Sequence, residues 1–262
     1  MTVGVGKNMS LKISRLGMFF QAFASNEGAN VFEISEYLKR NEAMTRSYRS
    51  WLIHLKLLTE KNYLTELGKL VLSYDPELQQ VRSIPLVYSL IVSNPVAVVF
   101  YTLINNIFYP NSFRGVYNIN KKEIKESLQR AGIGISSTDK QVKKDLNLSL
   151  NALTDDECFQ PLNLCRPIGK NTYRIFPHIP SPKLATLILF IFRQSNSSPS
   201  KKEIFQPGNF SRIFLLSNSQ TNDLLAKMQQ KNLIRIREYA NVSEVVLKIN
   251  SLEEILRRFY ET

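Results

Sequence analysis

Between Val31 and Asp75, short helical patterns and one polar turn follow each other in an order that few folds accommodate. Val31–Arg40 reads as a short helix with Asn30 as its N-cap. A longer helix is expected from about Glu42 to Leu58, with Met44, Tyr48, Trp51, Leu52 and Leu55 on its inward face at helical spacing. Leu57-Leu58 then leads through Glu60-Lys61-Asn62 to Tyr63-Leu64, the outline of a two-stranded turn, and Thr65–Leu72 forms a closing helix. Upstream, Leu11, Leu16, Phe19, Phe20 and Phe23 make Ser10–Ala24 amphipathic, and Ser25–Asn30 reads as a turn. Helix, helix, helix, hairpin, helix is the pattern of a winged helix, whose third helix can enter a major groove with the hairpin beside it. The exposed face of that third helix offers Arg46, Arg49 and, near its end, Lys56, while Lys39 and Arg40 sit just before it. Such side chains suit phosphate and base-edge contacts.

The rest of the chain reads as related pieces. Arg82–Phe113 is apolar with almost no charge, and suggests two buried helices broken at Asn94-Pro95. Lys121–Ala131 is a helix capped by Asn120, with Gly132 just past its end. Ser136–Asp139 is a cap cluster for a helix running to about Leu153, which carries Lys140, Lys143 and Lys144 on its first turns. Tyr173–Phe176 reads as a wing strand. Beyond it come helix Leu184–Arg193, a Gln194–Ser200 loop, helix Ser219–Lys231, a hairpin of Leu233–Arg237 with Glu244–Ile249, and a final helix Ser251–Tyr260. The expectation is a mainly α fold with short β-hairpins, made of two or three winged-helix-like units around an apolar helical linker. The boundaries fall at residues 1–80, 81–118, 119–180 and 181–262.

Charge narrows the class of partner. Lys plus Arg number 34 against 22 Asp plus Glu, a formal net charge of +12. Such a balance favours a polyanion, because Lys and Arg displace counterions from phosphates. Arg166–Arg212 holds eight basic residues and one acid, which adds Arg166, Lys170 and Arg174 to the DNA-binding candidates. The expected partner is double-stranded DNA. Met1–Ser10 has no apolar core of a secretory signal, and the apolar runs are too short or too interrupted to span a bilayer. With only Cys158 and Cys165, the reading is a cytoplasmic protein in a reducing compartment.

No cofactor or metal is expected. Gly4-Val5-Gly6-Lys7 lacks the spacing and the Ser or Thr of a phosphate-binding loop. Cys158, Cys165 and His178 are too few and too scattered for zinc. Asp155-Asp156-Glu157 is the only dense acidic run, and it reads as a solvated loop rather than a magnesium site. No catalytic residue can be named.

Met44–Leu58, Leu64–Leu78, Ser93-Asn94-Pro95 with its following aromatic helix, Ser137–Leu150 and Phe205–Phe214 together support a resemblance. In that order they resemble a bacterial domain-of-unknown-function family encoded beside DNA phosphorothioation genes, which includes the SspB nicking component. The resemblance implies a role in DNA modification or phage defence, other proteins of a modification complex as partners, and DNA nicking as an open question. The family often has a glycine-rich element before its Arg-Tyr-Trp helix, where this chain has Arg40–Met44. A "GVGKNM" string stands instead at Gly4–Met9. The residues alone leave two other readings open, a winged-helix transcription regulator and a protein-binding adaptor. They leave the oligomeric state open too, a dimer included.

Overall fold

The computed structural model describes residues 10–112, 115–133, 139–192, 199–239 and 242–261. The Gly4–Met9 string, the cap positions Ser136–Thr138, Arg193 and most of the Gln194–Ser200 loop lie outside them. The fold is mainly helical with two small antiparallel sheets.

The N-terminal third consists of α1 (Ile13–Ser25), α2 (Val31–Leu38), α3 (Glu42–His54) and α4 (Glu66–Tyr74). Polar caps fix where these helices start. The Asn30 side chain accepts from the Phe32 and Glu33 amides while Glu33 reaches back to the Asn30 amide, a reciprocal box that satisfies orphan donors of α2. Asn41 caps α3 through the Met44 amide, and Thr65 caps α4 through the Gly68 amide. The expected third helix is shorter than its pattern suggests. It stops at His54 because Lys56 takes a left-handed backbone, φ 57°, which turns Leu57 and Leu58 inward. The expected hairpin shrinks to a single bridge between Leu58 and Leu64. Beside it, the Gly28 amide donates to the Asn62 carbonyl at 3.0 Å.

Helix α5 (Ser83–Val92) is apolar and almost wholly buried. A chain reversal at Asn94–Ala97 separates it from α6 (Val98–Thr102), a π-helical turn Leu103–Phe108 and α7 (Tyr109–Ser112). The π turn leaves backbone groups without their usual helical partners. Buried Asn105 ties this turn to its surroundings, donating through Nδ2 to the Val92 and Tyr101 carbonyls and accepting through Oδ1 from the Gly208 amide.

The middle third runs β1 (Tyr117–Asn120), α8 (Lys121–Arg130), α9 (Asp139–Thr154), β2 (Cys165–Gly169) and β3 (Thr172–Ile175). The strand order is β1-β3-β2, all antiparallel. Neither β1 nor β2 was expected from sequence. β1 straddles the expected boundary at residues 118 and 119 and belongs to this sheet. Each strand is short, and β2 carries a proline and ends in glycine, so alternation has few residues in which to show.

The last third holds α10 (Pro182–Phe192), α11 (Phe210–Ile213), α12 (Asn218–Gln230), the hairpin β4 (Ile234–Tyr239) with β5 (Val242–Leu247), and α13 (Leu252–Tyr260). Ser200 forms a bridge to Glu244, placing a third extended segment on the outer side of β5. The same order therefore recurs among the described residues: a helix, an extended segment, two helices, and two strands of which the second pairs with the early segment.

The three thirds share one continuous core. Tyr88 of α5 lies at its centre, fully buried, edge-on to Phe159 and tilted against Phe214, with its hydroxyl donating to the Ile213 carbonyl at 2.8 Å.

Candidate nucleic-acid interface

Basic residues converge in the middle third. Asn120 and Glu123 form a capping box that fixes the start of α8, and this places Lys121 at its first position. The Lys121 amide donates to the Asn171 carbonyl at 2.8 Å, so the tip of the β2–β3 hairpin, with exposed Lys170, sits against the start of α8. Partial burial, then the charges of Lys125 and Lys143, push the Lys121 ammonium below its ordinary range. Lys125 and Lys143 therefore lie within electrostatic reach of Lys121. On α9, Lys140 and Lys143 are exposed and Lys144 is half-exposed, and among the described residues none of them pairs with an acid. Val142, Leu146, Leu150 and Leu153 hold the opposite face of α9 in the core.

The sheet extends this surface. Register places Asn118, Arg174 and Arg166 side by side across β1, β3 and β2, all exposed. Arg174 Nε donates to Asn118 Oδ1 at 3.0 Å. Arg166 bonds Asn163 and lies 5.3 Å over the Phe176 ring. These contacts hold the guanidiniums in defined positions while leaving them open to solvent. Lys121 and Lys125 escaped the sequence reading; two lysines one helical turn apart, just after a capping asparagine, were the available signal.

The first third differs from expectation. Lys39 and Arg40 are exposed in the turn between α2 and α3, and Arg46 is exposed but ion-paired with Glu42 one turn before it. Arg49 is not a free cation. Its Nε donates to Asn62 Oδ1 and its Nη2 to the Glu60 carbonyl, both at 2.5 Å, which clamps α3 to the turn between Leu58 and Leu64. Lys56 lies off the helix face, with its ammonium 5.5 Å over the Phe192 ring of α10.

The contiguous basic run Arg166–Arg212 is dispersed by folding. Arg166, Lys170 and Arg174 stand on the middle sheet, and Lys201 and Lys202 lie beside β5. Arg212 packs 4.8 Å from the Tyr109 ring and donates to the Phe205 and Asn105 carbonyls. Lys183 of α10 is pushed below its ordinary range by burial and by Arg82, Lys231 and Arg258.

The acidic run is a turn with Asp156 and Glu157 exposed, as expected of a solvated loop, but it also latches onto the N-terminal segment. Lys12 donates to both Asp155 oxygens, at 2.9 and 3.0 Å, and to Glu157, joining the approach to α1 with the end of α9. Among the described residues, no group of His, Cys, Asp and Glu large enough to hold a metal ion comes together. Cys158 and Cys165 are buried free thiols, and burial pushes Cys165 up to about 12. His54 and His178 are held below the ordinary imidazole range by burial.

A family model described as a protein of unknown function, DUF4007, matches residues 40–260. The chain belongs to the DUF4007 family. Solved structures extend the likeness across nearly the whole DUF4007 chain. A magnesium ion-bound SspB crystal structure matches with a TM-score of 0.75 at 14% identity, covering 99% of this chain and 88% of that one. An SspB crystal structure matches with a TM-score of 0.72 at 13% identity and the same coverage. No curated protein matches the sequence significantly. The fold is SspB-like, as the ordered sequence stretches implied. No helix among them is long and apolar enough to cross a membrane.

Proposed function

We propose that this chain binds double-stranded DNA through tandem winged-helix units, as a cytoplasmic component of a DNA phosphorothioation system with other proteins of a modification complex as partners. The observation that carries the reading is the row of exposed lysines on α9, the helix before the β2–β3 hairpin, whose tip with exposed Lys170 sits against Lys121 of α8. A winged helix presents the helix before its hairpin to the major groove and flanks it with phosphate contacts. Helix α9 stands before β2 and β3, and its outward side chains are Lys140, Lys143 and Lys144. The strand order β1-β3-β2, with a helix on each side of β1, supports the same reading. So does the recurrence of that order around α12, where the Ser200 segment lies on the outer side of β5.

Membership of a family resembling that encoded beside phosphorothioation genes, together with an SspB-like fold, supports the assignment to modification. The proposal assigns binding and names no cutting residue. In the first third it rests on Lys39, Arg40 and Arg46, with Arg49 and Lys56 as structural residues.

Titration of a labelled duplex with the full chain at low salt tests the binding. Saturable binding that is weakened in a Lys140→Ala, Lys143→Ala, Lys144→Ala triple variant is expected. An absence of duplex binding would overturn the reading and favour a protein-binding adaptor. Genes for a cysteine desulfurase and sulfur-transfer proteins are expected beside this one; their absence would remove the phosphorothioation context.

A further inference from the structure

The three helices that precede a hairpin or bridge carry different outward chemistry. On α3, Arg46 is ion-paired and Arg49 is clamped into protein. On α9 the outward side chains of the first turns are lysines. From Asn218 to Ala226 the exposed positions of α12 are Asn218, Ser219, Asn222, Asp223 and Ala226, and exposed Lys227 follows them. The five up to Ala226 are short side chains, and all of these but Asp223 are uncharged. Thr221, Leu224, Leu225 and Met228 hold the other face in the core, so the exposed stripe is fixed in orientation.

The two asparagines have no role in building the helix. Ser217 is the N-cap, accepting from the Gln220 amide, and Gln220 closes the capping box. Asparagine is a poor residue for a helix interior, because its side chain favours caps and turns. Among the described residues neither amide has a hydrogen-bond partner, and the two lie one helical turn apart on the same face.

An open groove runs beside them, lined also by Lys201, Lys202 and Ser243, with no acid in its wall. The Lys201 amide donates to the Ser243 carbonyl at 2.7 Å, which pins this cationic segment along β5.

We infer that α12 is the sequence-reading element of the molecule, with Asn218 and Asn222 contacting adenine edges in the major groove and Lys201 and Lys202 holding the flanking phosphates. This rests on the duplex-binding reading above and goes beyond it. An asparagine amide matches the N6 donor and N7 acceptor of adenine together, which a lysine cannot. Asp223 can accept from cytosine N4, and Ala226 can contact a thymine methyl group. Residues near the start of such a helix are the ones that meet base edges. The lysines of α9, by contrast, deliver affinity without sequence information.

The test uses the full chain and a pool of duplexes randomised over one helical turn. Selection is expected to return a consensus containing adenine. Asn218→Ala and Asn222→Ala are each expected to reduce the preference for the selected duplex over a scrambled one by about tenfold, with affinity for the scrambled duplex unchanged. Alanine is the better helix former at both positions, so the variants should fold. The triple α9 variant should weaken both duplexes equally and keep the preference. Duplex binding without a consensus, or a consensus untouched by both asparagine variants, would overturn this inference alone. No duplex binding at all would overturn it together with the binding reading.

Discussion

Arg49 illustrates how a candidate ligand residue can be a structural one. Its guanidinium bridges α3 to the Glu60 carbonyl and to buried Asn62, whose own amide donates to the Ala29 carbonyl. Arg49→Ala should lower stability by about 1–3 kcal/mol in urea unfolding, because Asn62 Oδ1 is left buried and unpaired. Its effect on duplex affinity should be smaller than that of Lys143→Ala. Tyr88→Phe should cost a similar amount, about 1–3 kcal/mol, by leaving the Ile213 carbonyl without its donor in the centre of the core. The Lys12–Asp155 latch adds a pH dependence. Burial pushes the Asp155 carboxyl up, but the Lys12 ammonium and the Glu157 amide outweigh it and hold it below the ordinary range. A carboxyl held low in the folded state stabilises above its unfolded value, about 3.9, and that contribution is lost as pH falls through the folded value. The stability gap between the native chain and Lys12→Ala should therefore be full at neutral pH and close below about pH 4.

Among the elements, α4 is set by a close approach. A Cβ on Gly68 would lie 2.1 Å from the Leu57 carbonyl oxygen, so the helix packs directly on the backbone of the preceding turn. Gly68→Ala should lower stability by about 1–3 kcal/mol despite the better helix propensity of alanine, since backbone has to move, and thermal unfolding would measure it. Helices were the legible part of this sequence. Asn30, Asn120 and the apolar spacing of α3 and α9 mark their elements because caps and helical periods are local. Strands β1 and β2 were not legible, because four or five residues hold too little alternation and their pairing with β3 is long-range. The candidate site was half legible. Lys140, Lys143 and Lys144 declared themselves by helical spacing, whereas the fates of Arg49 and Lys56 depended on a left-handed turn at Lys56. Lys121 joined the surface only through the hairpin tip that folds against it.

At the scale of the molecule, one core joins the three thirds, and the basic residues behind the net charge of +12 are found in all of them. The middle third presents exposed lysines on α9 and at the β2–β3 tip, and the last third presents an amide-bearing helix beside Lys201 and Lys202. In the duplex-binding proposal, this division would separate affinity from selectivity within one chain. Non-specific affinity for duplex DNA falls with salt in proportion to the phosphates neutralised, by about 0.9 in the log–log slope for each. The decisive measurement is the salt dependence of duplex affinity for the native chain and for the triple variant Lys140→Ala, Lys143→Ala, Lys144→Ala. A steep slope for the native chain that becomes shallower by about 2 to 3 in the variant is the expected result. Equal slopes for the two proteins would show that the lysine surface of α9 does not meet DNA.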